Sequence, residues 1–364
     1  MTHTSRLFCI FASIGALLTG GCRPGQHQIV PIPAPALESR SVLPDALTFA
    51  EYRPPANGIT SGIAFGADDA VWFTQNNSYV GRFYNGAFSD VLVRINVDNY
   101  TQGPALPILT ALSSGVYGGI AYQEQTGFAV SDDIYKINYA GHVSLTNGQQ
   151  AGMPNPGTMQ GIAAGPSAAY ATGSFIQAGI PCDTCLYVIS STGGDATRSQ
   201  DNEAGEAIAY VGGYVYVAAD ENYGGPSHGI KLYRLNASLS SFTQVASLPA
   251  PSHIHFMTAG PDGALWFTDN GRNTIGRYAS GHVTEYALPI RNENPEGIVR
   301  GLDGALWFTE AQTNRLGRIT TTGVITEFNL PFAGGKPTGL VAATTSRTLW
   351  YTDIGTGKLG RVSY

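Results

Sequence analysis

The chain has 364 residues, with 20 Lys+Arg against 26 Asp+Glu, a formal net charge of −6 and only 13% charged residues. Its 46 Gly and 10% aromatic residues read as turn-rich and all-β, and the lack of a basic cluster to neutralise phosphates argues against nucleic acid as a partner. The length suits one large domain or two ordinary ones.

The first element in chain order is an export signal. Arg6 precedes an apolar run from Leu7 to Leu18, and the small residues Thr19-Gly20-Gly21 lead to Cys22. The run is too short to span a bilayer as a retained helix. The segment resembles a bacterial lipoprotein signal peptide, which implies cleavage before Cys22 and lipid on its thiol. Ordinary secretion is the alternative, and export follows under either reading. From Arg23 to about Pro44, Pro31, Pro33 and Pro35 alternate, so this stretch is predicted to be an extended tether. The expected plan is a signal peptide over 1–21, a tether over 22–45 and a repeat domain over 46–364. The membrane enters only through a lipid anchor, and the chain is expected as a monomer in the periplasm or on the outer surface.

The repeats are clearest at the C-terminal end. Gly-Pro-Asp-Gly-Ala-Leu-Trp-Phe-Thr-Asp (260–269) is followed by Ile275-Gly276-Arg277 and by Val283-Thr284-Glu285-Tyr286. The phrase returns around Trp307 and Trp350, 41 and 43 residues on, the period of a four-stranded propeller blade. Weaker copies place Trp72, Phe128, Tyr170 and Tyr216 at the same frame position, which predicts a seven-bladed β-propeller. The long steps mark insertions, the largest near 95–116 and another over 173–185. The last copy stops at Tyr364 after three strands, and an unpaired edge is a liability. Phe49-Ala50-Glu51-Tyr52-Arg53-Pro54-Pro55 has the spelling of Val283-Thr284-Glu285-Tyr286-Ala287-Leu288-Pro289, so residues 46–52 are predicted to pair with 357–362 and close the ring.

With Cys9 in the signal and Cys22 lipidated, Cys182 and Cys185 remain. They form a CxxC with no second CxxC and no thioredoxin-like context, and a disulfide is expected in an oxidising compartment.

Gly-x-Asp-Gly-Ala-Leu-Trp-Phe-Thr-Asp/Glu, Asn-x-Ile/Leu-Gly-Arg and Thr-Glu-Tyr/Phe-x-Leu-Pro together resemble the virginiamycin B lyase (streptogramin lyase) family of seven-bladed propellers, strongly over blades five to seven. The resemblance implies a lyase that opens a cyclic depsipeptide at an ester with a His base and a bound divalent cation, Mg²⁺. The family's histidines lie in Pro-His-Ala/Gly-Ile of blades six and seven. Here those places read Pro295-Glu296-Gly297-Ile298 and Pro337-Thr338-Gly339-Leu340, and Lys336 stands where the family has a metal-ligand Glu. None of those roles is carried over.

The residue just before each Gly-Ile pair is expected to face the central funnel: Ser61, Gly118, Gln160, Glu206, His255, Glu296 and Thr338. Glu206, His255 and Glu296 fall on successive blades, with His253 two residues before His255 and on the same side of an extended strand. Two carboxylates flanking a His can hold it as imidazolium, orient it as a base or share a divalent cation with it. His255 is the expected base or metal ligand, with Glu296 its acid partner. Gln160, Glu206, His253 and Thr338 are the expected ligand-binding residues. A polar, solvent-facing propeller mouth is the alternative. Two functional classes remain open: an exported lyase-like enzyme working in the funnel, and a non-catalytic surface propeller binding a small ligand or a protein.

Overall fold

Short apolar runs with two-residue turns cannot bury both faces alone, so they pair into four-stranded sheets that stack. The computed structural model describes residues 47–55, 59–65, 69–75, 79–94, 108–111, 120–122, 135–138, 143–145, 156–165, 168–177, 180–190, 196–200, 204–220, 229–236 and 242–364. The signal segment, Cys22, the tether, Gly118 and Phe128-Ala129-Val130 lie outside the described residues. Every described regular element is a strand, and these form seven four-stranded antiparallel sheets.

Blade one begins at Ile59–Phe65, blade three at Pro156–Ala164 and blade four at Ala204–Val211. Blades five, six and seven begin at Ile254–Ala259, Pro295–Arg300 and Pro337–Ala342. The first strands of successive blades touch one another, and that of blade seven touches that of blade one, so the sequence of blades is cyclic. Blade two begins at Ile120–Tyr122, but its second position is taken by Ile108–Ala111, a strand from the insertion that precedes it in the chain. The other insertion is a long hairpin, Ala168–Gln177 with Ile180–Ser190.

The closing strand is Thr48–Tyr52, paired antiparallel to Lys358–Ser363 from Thr48 opposite Ser363 to Tyr52 opposite Leu359. Blade seven is thereby built from both ends of the repeat region.

The repeated words have physical meanings. Trp266, Trp307, Phe267 and Phe308 are fully buried. Trp266 and Trp307 donate Nε1–H to Asp262 and Asp303 at 3.0 and 3.3 Å, and the same aspartates accept from Arg277 and Arg318 at 2.7 Å. The Gly of each Gly-Arg lies under the aromatic ring of the adjacent strand. A Cβ on Gly276 or Gly317 would come within 2.0 Å of Phe267 or Phe308, so no larger residue fits without displacing the ring. Asn273 and Asn314 take the left-handed backbone, at φ 57° and 55°, which a short polar side chain tolerates. Their amides then donate to Ile290 and Phe332 carbonyls at 2.7 and 2.6 Å, tying each blade to the loop that follows.

Thr268 and Thr309, in the Trp-Phe-Thr words, reach across to the next blade. Their hydroxyls donate to the carbonyls of Glu296 and Thr338 at 2.7 and 2.6 Å. They thus clamp the backbone at the positions singled out above as funnel-facing.

Candidate functional site

Each first strand of blades one and three to seven carries a register shift near its start. It falls at Gly205/Ala207 in blade four, Ile254/Phe256 in blade five, Pro295/Ile298 in blade six and Pro337/Leu340 in blade seven. Glu206, His255, Glu296 and Thr338 lie within these shifts. A bulge leaves a residue without a ladder partner and re-aims its side chain. Strict alternation along a strand does not reveal such a bulge, yet it is what gathers these groups.

The structure joins blades four, five and six through a chain of four side chains. Glu206 Oε1 lies 3.1 Å from His253 Nε2, His253 Nε2 lies 3.3 Å from His255 Nε2, and His255 Nδ1 lies 3.2 Å from Glu296 Oε2. The two rings meet edge-on with centroids 4.2 Å apart. Glu206 and Glu296 are buried, at 6% and 5% exposure. His253 is 42% exposed in its side chain, and His255 behind it only 12%. Glu206 thus meets His253, and Glu296 meets His255. The more accessible imidazole is His253, whereas the sequence placed His255 at the centre.

Two further residues complete the cluster, and sequence reasoning passed over both. Asn270 Oδ1 lies 3.1 Å from His253 Nδ1, while its Nδ2 donates to Glu296 Oε1 at 3.4 Å and stands 3.3 Å from His255 Nδ1. Asn294 donates to Glu296 Oε1 at 2.7 Å from a left-handed backbone, φ 55°. The signal for Asn270 was available in the repeat: it follows Asp269 where Ala311 and Ile354 follow Glu310 and Asp353.

Both ring nitrogens of His253 face acceptors, Glu206 on one side and Asn270 Oδ1 on the other, an arrangement that only the doubly protonated ring satisfies. Its pKa is accordingly raised above the ordinary 6.5, chiefly by the hydrogen bond to Glu206, against the opposing effect of burial. A His whose pKa is higher folded than unfolded contributes stability below 6.5 and loses that contribution as pH rises through the elevated value. Chemical-denaturation midpoints measured from pH 6 upward are thus expected to fall across the His253 titration followed by NMR, and Glu206→Gln is expected to make that fall shallower by removing the share that His253 contributes. An unchanged slope in the variant would refute the assignment.

Thr338 is buried, and its hydroxyl pairs with Thr352 Oγ1 at 3.2 Å within its own blade. Gln160 lies within the Met159/Gly161 register shift of the first strand of blade three, the place that Glu206 holds in blade four. Cys182 and Cys185 both lie in Ile180–Ser190, opposite Phe175 and Gly173, with one extra residue on their own strand between those pairs. A cleft of about 380 Å³ beside Tyr52, Phe83 and Trp350, and another of about 360 Å³ beside Tyr216 and Tyr278, include none of the cluster residues.

The second half of the chain carries the family signature. Residues 232–364 match the model of the virginiamycin B lyase family. That span is a little over a third of the chain and begins within blade four, where the repeat words become regular. Among solved structures, a streptogramin B lyase matches with 21% identity and TM-score 0.62 over 87% of this chain and 97% of its own. A catalytically inactive virginiamycin B lyase from Staphylococcus aureus, solved with quinupristin, matches with 20% identity and TM-score 0.64 over 88% and 100%. The Cps50 (Swd1) β-propeller domain of Myceliophteria thermophila matches at 10% identity and TM-score 0.55 over 87% and 100%. At these identities the structural matches carry the propeller fold. A search of curated protein sequences finds no match.

The Mg²⁺ site implied by the resemblance does not fit the residues present in blade seven. The exposed Lys336 brings an ammonium where an anionic ligand is needed. Asp353 Oδ1 accepts from the backbone N–H groups of Lys336, Gly355 and Thr356, at 2.9, 2.9 and 3.0 Å, which leaves its Oδ2 beside that ammonium-bearing residue as a single carboxylate oxygen without a hydrogen-bond partner.

Proposed function

We propose that this chain is an exported propeller enzyme of lyase type, with proton-transfer chemistry at the mouth of its funnel. The observation that carries the reading is the pair of imidazoles in series, each held by its own buried carboxylate. His253, the accessible ring, removes the acidic C–H proton as base when it carries a single proton, and the resulting imidazolium returns a proton to the departing group. Glu206, Asn270 and His255 position it and stabilise its charge, and Glu296 holds His255. This serves an elimination in which one group both removes and returns a proton. The likeness to lyases supports it, although the work is done at blades four to six. Export, lipid on Cys22 and a Cys182–Cys185 bond belong to the same proposal, and the intact mass of the exported chain reads all three.

The test is incubation with quinupristin and, in parallel, with simple carbonyl compounds that carry an acyloxy group β to an acidic C–H, followed by product separation. Elimination of at least one probe is expected, with a loss of roughly 100-fold or more in His253→Ala, the scale of a general acid–base contribution. A smaller loss with a shifted pH profile is expected in His255→Ala. Consumption that persists at the parental rate in His253→Ala would overturn the reading. Binding without turnover would favour a non-catalytic surface propeller, for which the long hairpin Ala168–Gln177/Ile180–Ser190 offers a broad face.

A further inference from the structure

We propose that Glu293, Glu310 and Glu327 form an oxygen-only site for a hard divalent cation, Ca²⁺ or Mg²⁺, where the loop from blade five enters blade six. One carboxylate oxygen from each lies within 4.8 Å of the others. That spacing suits ligands about 2.3–2.6 Å from a shared Ca²⁺, or closer around Mg²⁺. The all-carboxylate set disfavours the metals that choose imidazole or thiolate.

The cluster is more than a patch of surface acids. Glu293 and Glu310 are fully buried, at 0% exposure. Both oxygens of Glu293, Oε1 of Glu310 and Oε1 of Glu327 have no hydrogen-bond partner. The cation set against them is Arg315, 3.1 Å from Glu327 and 3.7 Å from Glu293. Three carboxylates against one guanidinium leave two negative charges, which a divalent ion offsets.

The neighbouring blades show what is unusual here. Asn270, Ala311 and Ile354 donate their N–H groups to the carbonyls of His253, Asn294 and Lys336, which makes these three equivalent positions. One residue earlier stand Ser252, Glu293 and Gly335, so among blades five to seven the sixth places an acid there. In blade five Asp269 caps the backbone N–H groups of His253 and Arg272, and Arg272 grips Glu285 through two 2.8 Å bonds. In blade seven Asp353 caps its turn and Lys358 pairs with Glu51. Glu310, one methylene longer, bonds Thr313 with Oε2 and turns its other oxygen inward. A bound ion would fix the loop that carries Asn294 and Glu296 to the funnel cluster.

The full chain, stripped with chelator and dialysed, is melted alone and with Ca²⁺ or Mg²⁺ added. At 100-fold excess over Kd one of the ions is expected to raise Tm by about 4 °C. Glu293→Gln and Glu310→Gln are expected to abolish that increment, whereas His255→Ala keeps it, which separates this site from the funnel. Metal analysis of the untreated protein provides a second reading: one ion per chain, absent from Glu293→Gln. No ion response in the parent, an increment that survives in Glu293→Gln, or an increment lost in His255→Ala would each overturn the proposal.

Discussion

A chain beginning at Arg53 is expected to lose its cooperative monomeric fold. The strand Thr48–Tyr52 contributes five residues of ladder to Lys358–Ser363. Its Tyr52 ring lies 4.5 Å from Phe83 and 5.7 Å from Trp350, bridging blades seven and one, while Leu47 and Phe49 pack on the cluster around Trp307, Leu340 and Tyr351. Leu47, Phe49 and Tyr52 are half-buried, so each contributes less than the roughly 2–5 kcal/mol of a fully buried apolar side chain, and the three together are on the order of 5 kcal/mol. A whole domain has only about 5–15 kcal/mol. The truncation also exposes Lys358–Ser363 as an open edge that can pair with another chain. Thermal melting followed by scattering, with size-exclusion chromatography, is expected to show aggregation well below the parental Tm. A monomer melting within a few degrees of the parent would show that the ring does not depend on this strand.

Asp303→Ala is expected to be the most damaging exchange of a single polar residue among the Gly-x-Asp words. Arg318 and Asp303 are 2% and 1% exposed in their side chains and meet at 2.7 Å, and Asp303 also accepts from Trp307 Nε1 and the Ala305 backbone. Removing the acid leaves a guanidinium and an indole N–H buried together, a loss of about 3–5 kcal/mol. Blade five holds the same arrangement in Arg277 and Asp262, but at 27% and 18% exposure, where water can take over part of the solvation. Asp262→Ala is therefore expected to cost clearly less. Equal losses in the two variants, measured by urea unfolding, would show that burial does not set the cost.

The candidate site was legible in part. Reading the same frame position around the ring singled out Glu206, His255 and Glu296 before any geometry, because repetition makes equivalent residues neighbours around a narrow axis. Which imidazole faces outward was not legible. His253 and His255 are two positions apart and alternation alone gives them one face, but the strand begins at Ile254 and leaves His253 in the loop before it. The bulge at Ile254/Phe256 sets their separate directions. Asn270 and Asn294 come from loops whose approach to Glu296 depends on how blades five and six dock. Glu293 was invisible for a similar reason: an acid before Asn-Pro looks like any exposed loop acid until the neighbouring blade buries it.

By itself the sequence determined the local physics of the chain. Strand-length apolar words, the Gly, Asn and Asp turns that separate them and a repeat of about 41 to 43 residues led to four-stranded blades. The echo of Val283-Thr284-Glu285-Tyr286 in Phe49-Ala50-Glu51-Tyr52 led to closure by the N-terminal strand. These features are short-range, so spelling carries them. The tertiary structure alone decided matters that depend on one blade meeting the next. It set Ile108–Ala111 into blade two, linked Glu206, His253, His255 and Glu296 across three blades, and sealed three glutamates around one point. Burial and charge proximity act through space between residues far apart in the chain, and only the packed ring brings them together.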